Sequence, residues 1–222
     1  MIKQPSPNYG ERKNNAPIDM LVFHYTDMLT AEDALQRMCD PATEVSAHYL
    51  IDEAGVVYQL VDEEKRAWHA GVGFWRGHED INSRSIGIEL ANPGHTNGLV
   101  PFRDTQMESL VSLSHDIIMR HPIPARNVVG HSDIAPGRKI DPGPLFDWQL
   151  LAMRHIGLWP HYGEVVSLDV LPHLLCQIGY HLGDSDAIKA FQCHYRPSKI
   201  DGVADSETAS LATGLLTFIL ES

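Results

Sequence analysis

Apolar residues change their spacing several times along the chain, and each change predicts an element. Met20-Leu21-Val22-Phe23 is a short unbroken apolar run, as expected of a strand covered on both faces. It ends at His24-Tyr25-Thr26. Thr30 then precedes Ala31, Ala34, Leu35 and Met38, a helical spacing with a hydroxyl at the capping position. His48-Tyr49-Leu50-Ile51 and Val56-Val57-Tyr58-Gln59-Leu60-Val61 flank Asp52-Glu53-Ala54-Gly55 and read as a hairpin. Ser85-Ile86-Gly87-Ile88-Glu89-Leu90 alternates apolar with small or charged residues and predicts a further strand. Met107, Leu110, Val111, Ser114, Ile117 and Ile118 form one face of a helix that starts near Asp104. Val128-Val129 is a short strand leading into Gly130-His131. Residues 1–17, with Pro5, Pro7, Pro17 and Asn14-Asn15, read as an irregular lead-in.

After Trp159-Pro160 the strand signals stop and three helical patterns follow. Ser167 precedes Leu168, Leu171, Leu174, Leu175 and Ile178; Asp186 precedes Ile188 and Phe191; Asp205 precedes Thr208, Leu211, Leu215, Leu216 and Ile219. The expectation is an α/β fold with a mixed central sheet flanked by helices over residues 1–160. A small three-helix C-terminal domain follows over residues 161–222. Sixty-odd residues in three helices make a core that is marginal by itself.

Composition narrows the classes. The 222 residues are 43% hydrophobic and 21% charged, as in a folded domain. A formal charge of −12 argues against a nucleic-acid partner, whose phosphates call for a basic surface. No apolar run approaches the roughly 20 residues of a transmembrane segment. Cys39, Cys176 and Cys193 are odd in number and irregularly spaced, which fits buried thiols better than a disulfide framework or a cysteine metal site. The first residues carry no apolar signal region, which points to the cytoplasm; removal of a leader would instead place the chain in the periplasm or cell envelope. Thirteen histidines supply groups that bind metals or move protons near neutral pH, and composition alone does not rank them.

Order and spacing do rank them. Gly130-His131-Ser132-Asp133-Ile134-Ala135-Pro136-Gly137-Arg138-Lys139-Ile140-Asp141-Pro142-Gly143-Pro144 holds too much proline and glycine for a continuous helix or central strand. A shaped loop leaving the strand at Val128-Val129 can turn His131 and Asp141 onto one point. His24 also ends a buried strand, and neighbouring strand ends meet at the rim of a sheet where ligands bind. Two histidines and a carboxylate leave an open position on zinc, as catalytic sites do.

Together with Val22-Phe23-His24-Tyr25-Thr26, Ser46-Ala47-His48-Tyr49-Leu50-Ile51, Ala67-Trp68-His69-Ala70-Gly71 and Ser85–Leu90, this loop resembles the type 2 N-acetylmuramoyl-L-alanine amidases, a zinc-dependent family that includes peptidoglycan recognition proteins. The segments occur in the family's order across residues 5–159. The resemblance implies that His24, His131 and Asp141 bind zinc, that Glu89 is the catalytic carboxylate, and that Lys139 is a positive group beside the reacting carbonyl. Some relatives carry cysteine where Asp141 stands, and some carry His-His-Thr in place of His24-Tyr25-Thr26. The implied activity is hydrolysis of the amide between N-acetylmuramic acid and L-alanine. The implied substrate is peptidoglycan or 1,6-anhydro-muropeptides. His48, Trp68 and His69 are expected at the substrate groove or in packing around it. His78, His95, His115, His121 and His155 have no supporting pattern and read as surface or packing residues. In the tail, Ala187–Gln192 followed by Asp201–Thr208 is similar to a small helical peptidoglycan-binding domain. Two alternatives stand beside the amidase: a non-catalytic muropeptide-recognition protein, and a zinc endopeptidase that cuts within the peptide.

Overall fold

The structure, a computed structural model, describes residues 1–221. Strands β1 (Ile2–Lys3), β3 (Met20–Tyr25), β4 (Tyr49–Ile51), β5 (Val57–Gln59), β7 (Ser85–Leu90) and β8 (Val128–Gly130) form a six-stranded sheet in the order β1-β5-β4-β7-β3-β8. Strands β2 (Tyr9–Glu11) and β6 (Lys65–Ala67) pair separately as an antiparallel ribbon. The main sheet is mixed, as expected: β3 runs parallel to both β7 and β8, whereas the β4–β5 hairpin is antiparallel. The lead-in is more ordered than its composition suggests. β1 pairs with β5 and β2 with β6, so these short edge strands owe their conformation to distant partners rather than to local propensity.

Alternation along the strands divides the sheet into two faces. Leu21, Phe23, Ile86, Ile88, Leu90 and Val128 bury one face against helix α3 (Asp104–Arg120), through Met107, Leu110, Val111 and Ile117, and against Phe146 and Trp148. Met20, Val22 and Val129 face the other way, with Trp75 and Ile134. Helix α1 (Ala31–Cys39) shares that side farther along the sheet, packing Ala34, Leu35 and Met38 with Leu50 of β4. Thr30 caps α1 as predicted, its side chain accepting from the Asp33 amide.

The further α-helices among the described residues are α2 (Gly94–Asn97), α4 (His131–Ile134), α5 (Trp148–Met153), α6 (Leu171–Ile178), α7 (Ala187–Tyr195) and α8 (Ser206–Glu221). α4 is a single turn at the start of the segment expected to be irregular loop. Asp205 caps α8 through Thr208, but the Ser167 hydroxyl bonds to Asp169 instead, and a short 3-10 turn precedes α6. The thiols of Cys39, Cys176 and Cys193 are free, and Cys176 is exposed rather than buried.

The C-terminal helices share a core with the sheet. Leu171, Leu175, Phe191, Leu211 and Leu215 belong to the same buried cluster as Val22, Trp75, Val129 and Ile134. A polar contact crosses this seam at Asp133 on α4. Its Oδ2 accepts from the Gly130 amide at 2.7 Å and from His194 Nδ1 at 2.7 Å, and its Oδ1 accepts from the Tyr180 hydroxyl at 2.6 Å. The His194 ring stacks between Trp148 and Tyr195, with centroids 3.7 and 3.8 Å away. Tyr180→Phe deletes one buried donor to a carboxylate and leaves the ring packing intact. The expected cost is about 1.5–3 kcal/mol, read as a lower urea midpoint at unchanged slope.

Candidate active site

Three side chains converge at the C-terminal rim of the sheet. Register brings the first two elements together: His24 of β3 pairs with Glu89 of β7, and Phe23 pairs with Gly130, one residue before His131. Directly paired residues on neighbouring strands project to the same face. The segment after β8 then folds back, the Ser132 amide donating to the Asp141 carbonyl at 2.9 Å. Gly130 permits this return, because a Cβ there would come within 2.7 Å of Pro142 Cδ. As a result His24 Nδ1 lies 2.9 Å from His131 Nδ1, and each lies 3.0 Å from Asp141 Oδ2. All three residues are buried.

This donor set fits a zinc ion. Two imidazole nitrogens and a carboxylate oxygen, with ligand atoms within 4.8 Å of one another, are three of the ligand types zinc takes, with a position left open. His131 Nε2 lies 2.9 Å from the Ala70 carbonyl, which can only accept, so Nε2 carries the proton and Nδ1 offers its lone pair. Burial, reinforced by the charge on His131, pushes His24 down to about 4, so its ring is neutral at pH 7 and available as a ligand. Burial works against charge on Asp141 too, but His131 and His24 beside it hold its carboxyl well below the usual range.

Beside this group lies a cavity of about 370 Å3 whose lining includes Tyr25, His69, Glu89, His131, Lys139 and Asp141. Glu89 Oε2 is shielded from solvent and has no hydrogen-bond partner among the described residues. Burial, and then the charge of Asp141, pushes the Glu89 carboxyl up to about 8, with Lys139 pulling the other way. A carboxylate with a free oxygen and a raised pKa, facing a cavity, is equipped to take a proton and give it back.

Other expected residues are placed differently from one another. His69 borders the cavity, and its Nδ1 lies 3.0 Å from His24 Nε2. His69 is neutral, since burial and then the neighbouring His24 push it well below its ordinary range. His48 is completely buried away from the cavity. Its Nδ1 accepts from the Gly87 amide at 3.0 Å, and its Nε2 lies 3.1 Å from the Lys65 carbonyl. Trp68 sits beside Gly10 of the small ribbon, and the structure brings neither it nor His48 to the cavity. His95, read as a surface or packing residue, does line the cavity, and its Nδ1 is 2.7 Å from the Tyr25 hydroxyl. No spacing rule links residues 25 and 95; only the fold does. Arg138 donates to the backbone carbonyls of Ala70 and Val72, and both it and its neighbour Lys139 line the cavity.

Known proteins share this arrangement of chain. Residues 14–144 match the N-acetylmuramoyl-L-alanine amidase family. The N-acetylmuramoyl-L-alanine amidase AmiD of Escherichia coli is 40% identical over 90% of this chain and 82% of its own length. The 1,6-anhydro-N-acetylmuramyl-L-alanine amidase AmpD of Enterobacter cloacae is 41% identical over 65% of this chain and 84% of its own length. A solved complex of E. coli AmiD with the substrate anhydro-N-acetylmuramic acid-L-Ala-D-gamma-Glu-L-Lys superposes with a TM-score of 0.83 at 36% identity, covering 95% of this chain and 98% of that one. The chain therefore belongs to the N-acetylmuramoyl-L-alanine amidase family.

Proposed function

We propose that this protein hydrolyses the amide between N-acetylmuramic acid and L-alanine in muropeptides, with zinc held by His24, His131 and Asp141. The observation that carries the reading is the convergence of those three ligand atoms beside a cavity that also holds Glu89 and Lys139. An amide is a poor electrophile and water a poor nucleophile. Bound at such a site, zinc supplies both polarisation of the carbonyl and acidification of water, from a pKa of 15.7 to about 7. Glu89 accepts the proton of the attacking water at its unpartnered carboxylate. As the carbon–nitrogen bond breaks, Glu89 returns that proton to the leaving amine of L-alanine. Lys139 places its ammonium where negative charge grows on the carbonyl oxygen, a contact whose loss typically costs about 10²–10³ in turnover. Tyr25 and His95, bonded to each other, also line the cavity and would shape how the substrate lies in it.

Retention of His24, His131, Asp141, Glu89 and Lys139 together favours an enzyme over a non-catalytic recognition protein. Mass analysis of products from a soluble 1,6-anhydro-muropeptide and from intact sacculus, offered side by side, tests the reading. The expected result is a released stem peptide that begins with L-alanine. Binding without products would leave the recognition protein, and fragments cut within the peptide would leave the endopeptidase. The C-terminal helices are proposed to hold polymer, which predicts faster release from sacculus by the whole chain than by a soluble-substrate enzyme of equal turnover on fragments.

A further inference from the structure

One dipeptide touches both histidines of the candidate metal site. The Ala70 carbonyl accepts from His131 Nε2 at 2.9 Å, and His69 Nδ1 meets His24 Nε2 at 3.0 Å. The amides of His69 and Ala70 both donate to Asn82 Oδ1, at 3.1 and 2.8 Å, and Asn82 is buried. The His69 ring lies over Gly87, where a Cβ would approach it within 2.4 Å. Its far nitrogen, Nε2, is 3.1 Å from Ser85 Oγ.

Proton positions follow from the distant end of this chain of contacts. The Ile81 carbonyl can only accept, so the Ser85 hydroxyl donates to it, at 2.7 Å. That uses the hydroxyl's single proton. The contact between Ser85 and His69 is therefore Nε2–H donating to Oγ. A neutral imidazole protonated at Nε2 keeps its lone pair on Nδ1, so His24 donates to it from its own Nε2. His24 Nδ1 is then left with a lone pair that faces His131 Nδ1 and Asp141 Oδ2.

We propose that His69, oriented by Ser85, is a positioning residue that fixes His24 as the Nε2–H tautomer and so presents Nδ1 to the metal. The proposal rests on reading His24, His131 and Asp141 as the metal site. It also accounts for three small or polar choices on one strand face. Ser85 accepts from the ring while donating onward to the Ile81 carbonyl, Gly87 leaves space for the ring, and Glu89 emerges beyond it into the cavity. Outer hydrogen bonds of this kind set ligand orientation, and their loss typically costs about 10–100-fold in metal affinity.

The test compares wild type, His69→Phe, His69→Gln and Ser85→Ala. Long-range proton–nitrogen spectra of metal-free, histidine-labelled protein report the His24 tautomer, and chelator competition reports zinc affinity. Wild type should show His24 protonated at Nε2. His69→Phe, which has no acceptor, should shift His24 towards Nδ1–H and weaken zinc by about 10–100-fold. His69→Gln offers an amide oxygen to His24 and should recover most of that loss. Ser85→Ala keeps the ring in place but frees its tautomer, so it carries the test if His69→Phe fails to fold; a mixed His24 tautomer and weaker zinc are expected. A wild-type His24 protonated at Nδ1, or zinc bound equally tightly by the folded variants and wild type, overturns the proposal. Wild type that takes up no zinc instead overturns the metal reading itself, which the metal-free spectra keep distinct.

Discussion

Replacing His131 with alanine is expected to remove both metal and turnover. His131 provides one of three convergent ligand atoms, and it is buried, 4% exposed, among the other two. Without it, His24 Nδ1 and Asp141 Oδ2 remain as a pair. Structural zinc sites with four protein ligands bind with about 10–16 kcal/mol, so one ligand is worth on the order of 3 kcal/mol, roughly a hundredfold or more in affinity. Activity should fall with occupancy. A second readout avoids substrate altogether. Zinc that binds the native state alone stabilises it by about 2.7 kcal/mol at a hundred times its dissociation constant. Wild type should therefore melt at a higher temperature with zinc than with a chelator, and His131→Ala should show almost no difference. Asp141→Cys should keep much of the metal, because a thiolate is also a zinc ligand, whereas Asp141→Ala should not. Stoichiometric zinc in His131→Ala would remove that residue from the ligand set.

How much of this site was legible beforehand differs residue by residue. His24 ends an apolar run and His131 follows another, so their places at strand ends were readable from hydrophobic pattern alone. Asp141 is readable because the prolines and glycines exclude a continuous helix or strand from His131 to Asp141, although the first turn, α4, is helical. The alternation in Ser85–Leu90 put Glu89 on the face of Ser85 and Gly87, but nothing local reveals that Glu89 pairs in register with His24. That pairing spans 65 residues and is set by the whole sheet. The role of His69 was less visible still. It depends on a hydroxyl at position 85 and a missing side chain at position 87, two features that look merely compatible with a strand. His95 reaches the cavity only because the segment around α2 folds back beside Tyr25. β1 and β2 leave no mark in the hydrophobic pattern for a similar reason, since two or three residues carry no periodicity of their own. The C-terminal helices were legible as amphipathic patterns, but their apolar faces did not disclose that they close the same core as β3 and β8.

Glu89→Gln is expected to retain zinc and lose about 10²–10⁴ in turnover, the usual contribution of a positioned acid–base group. Glutamine preserves volume and polarity but cannot accept a proton, which separates proton transfer from packing. The same variant has a second signature in the metal-free protein. Burial and the charge of Asp141 raise the Glu89 carboxyl from an ordinary value of 4.5 to about 8 in the folded chain. Between those values the native state holds a proton that the unfolded chain has released. The stability from this group is thus fully present below about 4.5 and is lost as pH rises through about 8. Glu89→Gln has no such proton, so its stability relative to wild type should increase from pH 5 to pH 8 in chelator. A bound dication nearby favours the carboxylate, so zinc should move the wild-type transition to lower pH and leave Glu89→Gln unaffected by that shift. Urea denaturation at several pH values, with and without zinc, measures both effects. Parallel pH profiles for wild type and variant in chelator would show that Glu89 is not the group held protonated. Parent-rate hydrolysis by Glu89→Gln would show that proton transfer belongs to another residue. The two results are independent, because the first reads the environment of the carboxyl and the second reads its use.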